Sequence, residues 1–221
     1  GETQLETDRR IVRGRIQRLK AELLQIRRNR NQQRSHRRVT GMPVVALVGY
    51  TNAGKSTLFN VLTSAGVKTE NRPFSTLDPV TRQIALPSGN HALVTDTVGF
   101  IQKLPATLIA AFRATLEELT EADLLLHLVD IKHPNAAEQS EVVDSTLAEL
   151  HLEEKPRVLV LNKADLLVDR AQLSDDYTRR VLDDFEWQGD TATVIVSATL
   201  RWGIAELCLQ IERSLDTTKR S

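Results

Sequence analysis

One cysteine, Cys208, stands in 221 residues, which excludes an intrachain disulfide framework and fits a reducing compartment. It lies in the run Ile204-Ala205-Glu206-Leu207-Cys208-Leu209-Gln210-Ile211 and reads as buried filler rather than a reactive thiol. No run approaches the roughly eighteen apolar residues that a membrane span needs, and no secretory signal opens the chain. A cytoplasmic protein without membrane contact is therefore expected. Aromatic residues make up only 4%, but a hydrophobic content of 41% suffices for the core of one α/β domain. Net charge is absent too, since 29 Lys and Arg balance 29 Asp and Glu. The balance is not local. Residues 1–40 carry twelve basic and four acidic groups, a net of +8, so the remainder carries −8. A basic arm on an acidic body is read either as contact with a polyanion such as nucleic acid or as a solvated helix face.

What is present centres on Gly49-Tyr50-Thr51-Asn52-Ala53-Gly54-Lys55-Ser56. An apolar run, Val44 to Val48, precedes it and a helix-like run, Thr57 to Leu62, follows. Strand, glycine-bounded loop and helix are the context of a phosphate-binding P-loop. Gly49 permits the sharp exit from the strand, and Gly54 lets the backbone approach a phosphate. Successive N–H groups then face an anion at the positive end of the helix. Lys55 would reach the β- and γ-phosphates and Ser56 would bind Mg²⁺.

The rest of the chain alternates as a doubly wound α/β sheet does. Strands are predicted at Val44–Val48, Val80–Leu86, His91–Thr95, Leu124–Asp130, Arg157–Leu161 and Thr193–Val196. Helices are predicted at Thr57–Leu62, Ala106–Leu119, Ala136–Leu150, Ser174–Phe185 and Ile204–Leu215. The turn Pro87-Ser88-Gly89-Asn90 makes the second and third strands a hairpin, so one antiparallel strand joins an otherwise parallel sheet of six. Residues 64–79 show no period and are expected to form a loop. Ahead of the domain, Val12, Ile16, Leu19, Leu23 and Ile26 recur at spacings of four, three, four and three. That is a coiled-coil seam on a long basic helix, with no later segment offering its partner. The division expected is a basic helical linker, residues 1–40, and a nucleotide-binding domain, residues 41–221.

Three further motifs sit at predicted strand ends. Asp96-Thr97-Val98-Gly99 can hold a water on Mg²⁺ through Asp96 and offer the Gly99 N–H to a γ-phosphate. Asn162-Lys163-Ala164-Asp165 can read guanine, because a carboxylate accepts from both its ring N–H and its exocyclic amine. Adenine presents an acceptor at the first position, and unpaired buried polar groups discriminate by on the order of 10⁴-fold. Asn162 would tie this loop to the P-loop, and the Lys163 stem would cover the base. Ser197-Ala198 would give a backbone N–H to the guanine carbonyl. The expected nucleotide set is thus Asn52, Ala53, Gly54, Lys55, Ser56, Thr57, Asn162, Lys163, Asp165, Ser197 and Ala198, with GTP or GDP as the ligand.

Thr76 lies in the loop before the second strand, where a hydroxyl can close onto Mg²⁺ when a γ-phosphate is present. Thr69 and Thr81 compete with it by position alone. Phe100 stands where many small GTPases place the glutamine that orients water, and phenylalanine cannot do so. Asn52 has two readings. It matches P-loops whose asparagine binds a potassium ion beside the phosphates, or it serves turn geometry.

The segment Gly1-Glu2-Thr3-Gln4-Leu5-Glu6, the P-loop as spelled, Thr76-Leu77-Asp78-Pro79 and Asp96-Thr97-Val98-Gly99-Phe100-Ile101 together resemble the HflX branch of the Obg–HflX GTPases. The resemblance runs from Gly1 to about Leu215. It implies a P-loop GTPase fold, Thr76 as the switch threonine and an apolar residue at position 100. Lys55, Thr76, Gly99 and Asn52 form the implied catalytic set, with Mg²⁺ and, through Asn52, K⁺ as cofactors. The implied partner is the large ribosomal subunit and its rRNA, with action in ribosome dissociation or rescue. In the family pattern an N-terminal domain and a first helix come before this point, and the unpartnered seam is expected to meet them. A monomer is expected. The alternative is a nucleotide-gated RNA-binding module in which hydrolysis is incidental. As a GTPase without the water-orienting glutamine, the chain should turn over on the order of 10⁻⁴ to 10⁻³ s⁻¹ unaided.

Overall fold

The central strands are apolar on both faces because helices cover both faces. A computed structural model describes residues 41–63, 80–97, 99–100, 119–167 and 191–218. The expected basic helix, the loop 64–79 with Thr69 and Thr76, nearly all of the helix predicted at Ala106–Leu119, and the helix Ser174–Phe185 lie outside these residues. Leu119 and Thr120 are helical. All described residues from Pro43 onward belong to one compact unit, Pro43–Ser221.

Six strands form one sheet: β1 Val44–Gly49, β2 Val80–Ala85, β3 His91–Asp96, β4 Leu124–Asp130, β5 Arg157–Asn162 and β6 Ala192–Ile195. Their order across the sheet is β2-β3-β1-β4-β5-β6. Only β2 runs antiparallel, pairing with β3 from Val80↔Asp96 to Ala85↔His91. The described α-helices are α1 Lys55–Thr63, α2 Ala136–Glu149 and α3 Ile204–Thr218. The sheet therefore has the expected six strands and the expected single antiparallel edge.

Alternation along β1 sorts the two layers. Val45 and Leu47 face the cluster that holds Leu58 and Phe59 of α1 and Leu207, Ile211 and Leu215 of α3. Val44, Ala46 and Val48 face the opposite cluster, with Val143 and Leu147 of α2, Leu119 and Phe100. The α3 anchors recur every fourth residue, the stripe of a helix lying on a sheet. Truncating one such leucine to alanine would cost roughly 2–5 kcal/mol. At the edge, β2 keeps only Ile84 buried, as a strand with one wet face should.

Element ends differ from the sequence reading by one to three residues. α1 begins at Lys55 rather than Thr57, since Leu58 N already donates to Gly54 O at 2.9 Å. α3 runs on past Leu215 to Thr218, where the Thr217 hydroxyl bonds the Arg213 carbonyl at 3.0 Å. The hairpin tip closes through Leu86 N to Asn90 O at 2.8 Å, and Ser88 fastens it to Glu212 of α3.

Candidate functional site

The C-terminal ends of β1, β3, β4, β5 and β6 meet along one edge of the sheet, where folds of this kind bind ligands. The loop from Gly49 to Gly54 leaves β1 there and turns into α1. Gly54 adopts φ 97°, and a Cβ on it would lie 2.3 Å from Asn162 Nδ2. The residue type is thus fixed by the approach of Asn162 as well as by backbone conformation, a constraint the sequence reading did not contain. Asn52 also stands at positive φ, 63°, so turn geometry accounts for an asparagine there. Among the described residues its side chain makes no hydrogen bond.

Lys55, 6% exposed, donates from Nζ to the carbonyls of Gly49 and Tyr50, each at 2.9 Å. Burial pushes its pKa down to about 8, with the nearby Asp96 carboxylate pulling it back up. Ser56, next along, donates from Oγ to Asp96 Oδ2 at 2.7 Å. Asp96 is fully buried, and the neighbouring Thr97 hydroxyl bonds the Leu47 carbonyl. Among the described residues no group of three His, Cys, Asp or Glu side chains could hold a metal. A hydroxyl and a carboxylate side by side are hard oxygen ligands of the kind Mg²⁺ takes, which it completes with water and phosphate. The pair fits that ion. Thr81 does not join them, because its hydroxyl meets that of Thr95 within the β2–β3 ladder at 2.9 Å.

Gly99 closes over the loop. A Cβ there would come within 3.0 Å of both Lys55 Nζ and Thr51 Cα. The following residue is stitched to the P-loop, with Phe100 N donating to Gly49 O at 3.1 Å and Thr51 N to Phe100 O at 2.9 Å. The Phe100 ring is fully buried in the α2-side cluster. Position 100 therefore contributes a core side chain rather than one aimed at the P-loop.

On the other side, Asn162 joins three loops. Its Nδ2 donates to Ala53 O at 2.8 Å, and its Oδ1 accepts from Ala198 N at 3.0 Å. Ser197 N donates to Trp202 O at 3.2 Å. The amides of the Ser197-Ala198 pair, one of which is expected to meet a guanine carbonyl, thus both have acceptors within the protein. A base carbonyl arriving there would share or replace one of these acceptors, and the next amide along, that of Thr199, is exposed. Lys163 sits at φ 69° and Asp165 in the following 3-10 turn, Ala164–Leu166.

Two neighbours went unread in the sequence. Asp130, ending β4, pairs with Lys163 at 2.6 Å. A carboxylate at a parallel strand's C-terminal end was the available signal, the same one that drew attention to Asp96. His127, fully buried on β4 opposite Val48, is the other. Burial, with Arg157 and Lys55 adding positive potential, pushes its pKa down to about 3. It is therefore neutral, and its 4.0 Å approach to Asp144 is not an ion pair, because Arg157 already holds that carboxylate.

Comparison with known proteins places this geometry. The family described as 50S ribosome-binding GTPase matches residues 44–163, and the GTP-binding GTPase middle region matches residues 1–37. The chain belongs to the 50S ribosome-binding GTPase family. It is similar to the GTPase HflX of Caldanaerobacter subterraneus subsp. tengcongensis, 44% identical over 97% of this chain and 46% of that protein. The GTPase HflX of Escherichia coli is 47% identical over 76% of this chain and 40% of that protein. The resemblance carried by the motifs is thus matched by curated relatives. The chain spans about half the length of these relatives. Among solved structures, a GTP-binding protein from Sulfolobus solfataricus in complex with GDP superposes with a TM-score of 0.61 at 24% identity, covering 91% of this chain and 61% of that one. Era of Aquifex aeolicus bound to GDP and AlF₄⁻ gives a TM-score of 0.66 at 23% identity, over 78% of this chain and 56% of that one. These likenesses show the P-loop GTPase fold. No helix among the described residues is long and apolar enough to cross a membrane.

Proposed function

We propose that this chain binds GTP with Mg²⁺ and hydrolyses it to GDP and phosphate, slowly alone and faster on the large ribosomal subunit, in ribosome dissociation or rescue. The observation that carries the reading is the Asn162 junction, whose amide holds the P-loop carbonyl of Ala53 and the amide of Ala198 at once. It ties the loop that would hold phosphate to the two loops that would hold the base. Membership of a GTPase family, and relatives named GTPase HflX, support the reaction.

In this mechanism water attacks the γ-phosphorus, the bond to the bridging oxygen breaks, and GDP leaves with that bond's electron pair. Lys55 and the amides entering α1 hold the β- and γ-phosphates against that charge. Ser56, Asp96 through a water, and Thr76 would hold Mg²⁺, which neutralises the negative charge shared between the phosphates. Asp165 and the Lys163 stem would select and cover guanine. Phe100, sealed in the core, cannot orient the attacking water. K⁺, which Asn52 would hold, or a partner that orders the surrounding loops would supply the missing stabilisation. The basic arm, with Arg27, Arg28 and Arg30 and the arginines after them, supports rRNA backbone as the partner's chemistry.

Single-turnover hydrolysis with and without saturating large subunits tests this. Stimulation by orders of magnitude is expected, falling with salt, falling when K⁺ is replaced by Na⁺, and weakened by Arg27→Glu, Arg28→Glu and Arg30→Glu without loss of GTP affinity. Subunit binding that depends on GTP without any stimulation would favour the nucleotide-gated module, a reading that the buried Phe100 keeps open.

A further inference from the structure

Asp130 occupies the last position of β4, directly across the ladder from Asn162 of β5. It is 13% exposed at the side chain, and both of its carboxylate oxygens are in use. One accepts from Lys163 Nζ at 2.6 Å, and the other accepts the Lys132 N–H at 3.1 Å. Ile131 N in turn donates to Asn162 O at 3.2 Å, so the exit of β4 is locked to the end of β5. Lys163 itself stands in the left-handed region at φ 69°, with its side chain 29% exposed. A lysine left to solvent at such a place would sample many rotamers, and each would have to be lost when a base slid beneath its stem. Here the ammonium is already fixed at one end and the backbone at the other.

We propose that Asp130 is a positioning residue for the nucleotide: it holds the Lys163 stem in the conformation that covers the base, before the base arrives. The inference rests on the proposed binding of guanine nucleotide at this site. Half-buried geometry separates the pair from exposed ion pairs, which contribute little. Because the pair acts on the base-covering side chain and not on the P-loop, its loss should speed nucleotide release while leaving phosphate recognition intact. A purely structural role would disturb both.

Release of a ribose-labelled fluorescent GDP is therefore measured by stopped flow for wild type, Asp130→Asn, Asp130→Glu, Lys163→Met and the double variant Asp130→Asn/Lys163→Met. Inhibition of labelled-GDP binding by inorganic pyrophosphate, which has no base, is measured alongside. Asp130→Asn is expected to raise the release rate about tenfold, Asp130→Glu to restore most of that loss, and pyrophosphate affinity to stay within twofold of wild type. The double variant should release GDP no faster than Lys163→Met alone, since the two residues act as one unit. Wild-type release from Asp130→Asn, additive effects in the double variant, or a parallel loss of pyrophosphate affinity would overturn the proposal. Failure of wild type to bind labelled GDP at all would overturn the nucleotide reading as well, and is distinguishable from the other outcomes because it needs no variant.

Discussion

The two ends of the site are built by different means. The phosphate end is buried and made largely of backbone: Lys55 is 6% exposed, and Gly49, Tyr50, Thr51 and Phe100 trade main-chain bonds around it. The base end is made of side chains that reach across the sheet edge, with Lys163 on Asp130 and Asn162 on two other loops. A backbone cradle tolerates almost any phosphate and gives affinity. On the proposed reading, side-chain contacts at the other end would give choice of base, and they can be lost one at a time. The comparison predicts that damage at the base end changes selectivity and release, whereas damage at the phosphate end removes binding or the fold itself.

The sharpest way to break that contrast is at the residue shared by both ends. Asn162→Ala leaves the buried Ala53 carbonyl and Ala198 amide without their side-chain partner, and unsatisfied buried groups cost roughly 1–3 kcal/mol each. It also opens space beneath Gly54, which lies against Asn162 Nδ2. Nucleotide affinity is expected to fall by at least a hundredfold and chemical-denaturation stability by about 2–4 kcal/mol. Loss of base selectivity with full phosphate affinity and full stability would show that the two ends are independent.

Phe100→Gln is the next largest. If position 100 were simply a vacancy for glutamine, the substitution would raise intrinsic hydrolysis. The ring instead packs with Val48, Leu125 and Val143 in the α2-side core. A buried polar amide there is expected to cost about 3–5 kcal/mol, the range for losing a large core side chain, with no gain in single-turnover rate. A faster rate in a stably folded variant would mean that the segment after Gly99 re-pairs when nucleotide binds.

What could be read in the sequence divides along the same line. The P-loop is eight consecutive residues between an apolar strand and a helix, so its geometry is local and its spelling is enough. The six strands with one antiparallel among them followed from the alternation of elements, because Val44–Gly49 and the largely apolar Leu124–Asp130 are buried along nearly their whole length, as a doubly covered sheet requires. The base end resisted reading because its bonds span the chain: Lys163 meets Asp130 across 33 positions and Ala198 meets Asn162 across 36. A motif names the residues that would reach a ligand but not the partners their amides hold within the protein, as those of Ser197 and Ala198 do. Phe100 was legible as a missing glutamine and illegible as a core residue, since a single position between Gly99 and Ile101 carries no period.

The smallest expected effect concerns protons and sharpens the contrast from the phosphate side. In the free protein Lys55 titrates near pH 8, below its ordinary 10.5, because burial disfavours the ammonium more than Asp96 supports it. Between those two values the unfolded chain binds a proton that the native state does not, so nucleotide-free stability should rise with pH across the window. That contribution is lost as pH falls through about 8, which is where the charge returns to a buried site. Phosphate binding has the opposite sign. Anionic oxygens beside the amine favour its charged form, so binding above the free pKa must take up a proton. GDP affinity should therefore weaken roughly fourfold from pH 7 to 8.5, with a steepest slope of about tenfold per pH unit. Titration calorimetry at pH 8.5 in buffers of different ionisation enthalpy should register most of one proton taken up per nucleotide bound. Asp96→Asn removes the carboxylate that raises the lysine's pKa, and should move the onset of this dependence to lower pH. Binding that is flat with pH and buffer would mean the ammonium stays charged throughout, held by the Gly49 and Tyr50 carbonyls strongly enough to outweigh its burial.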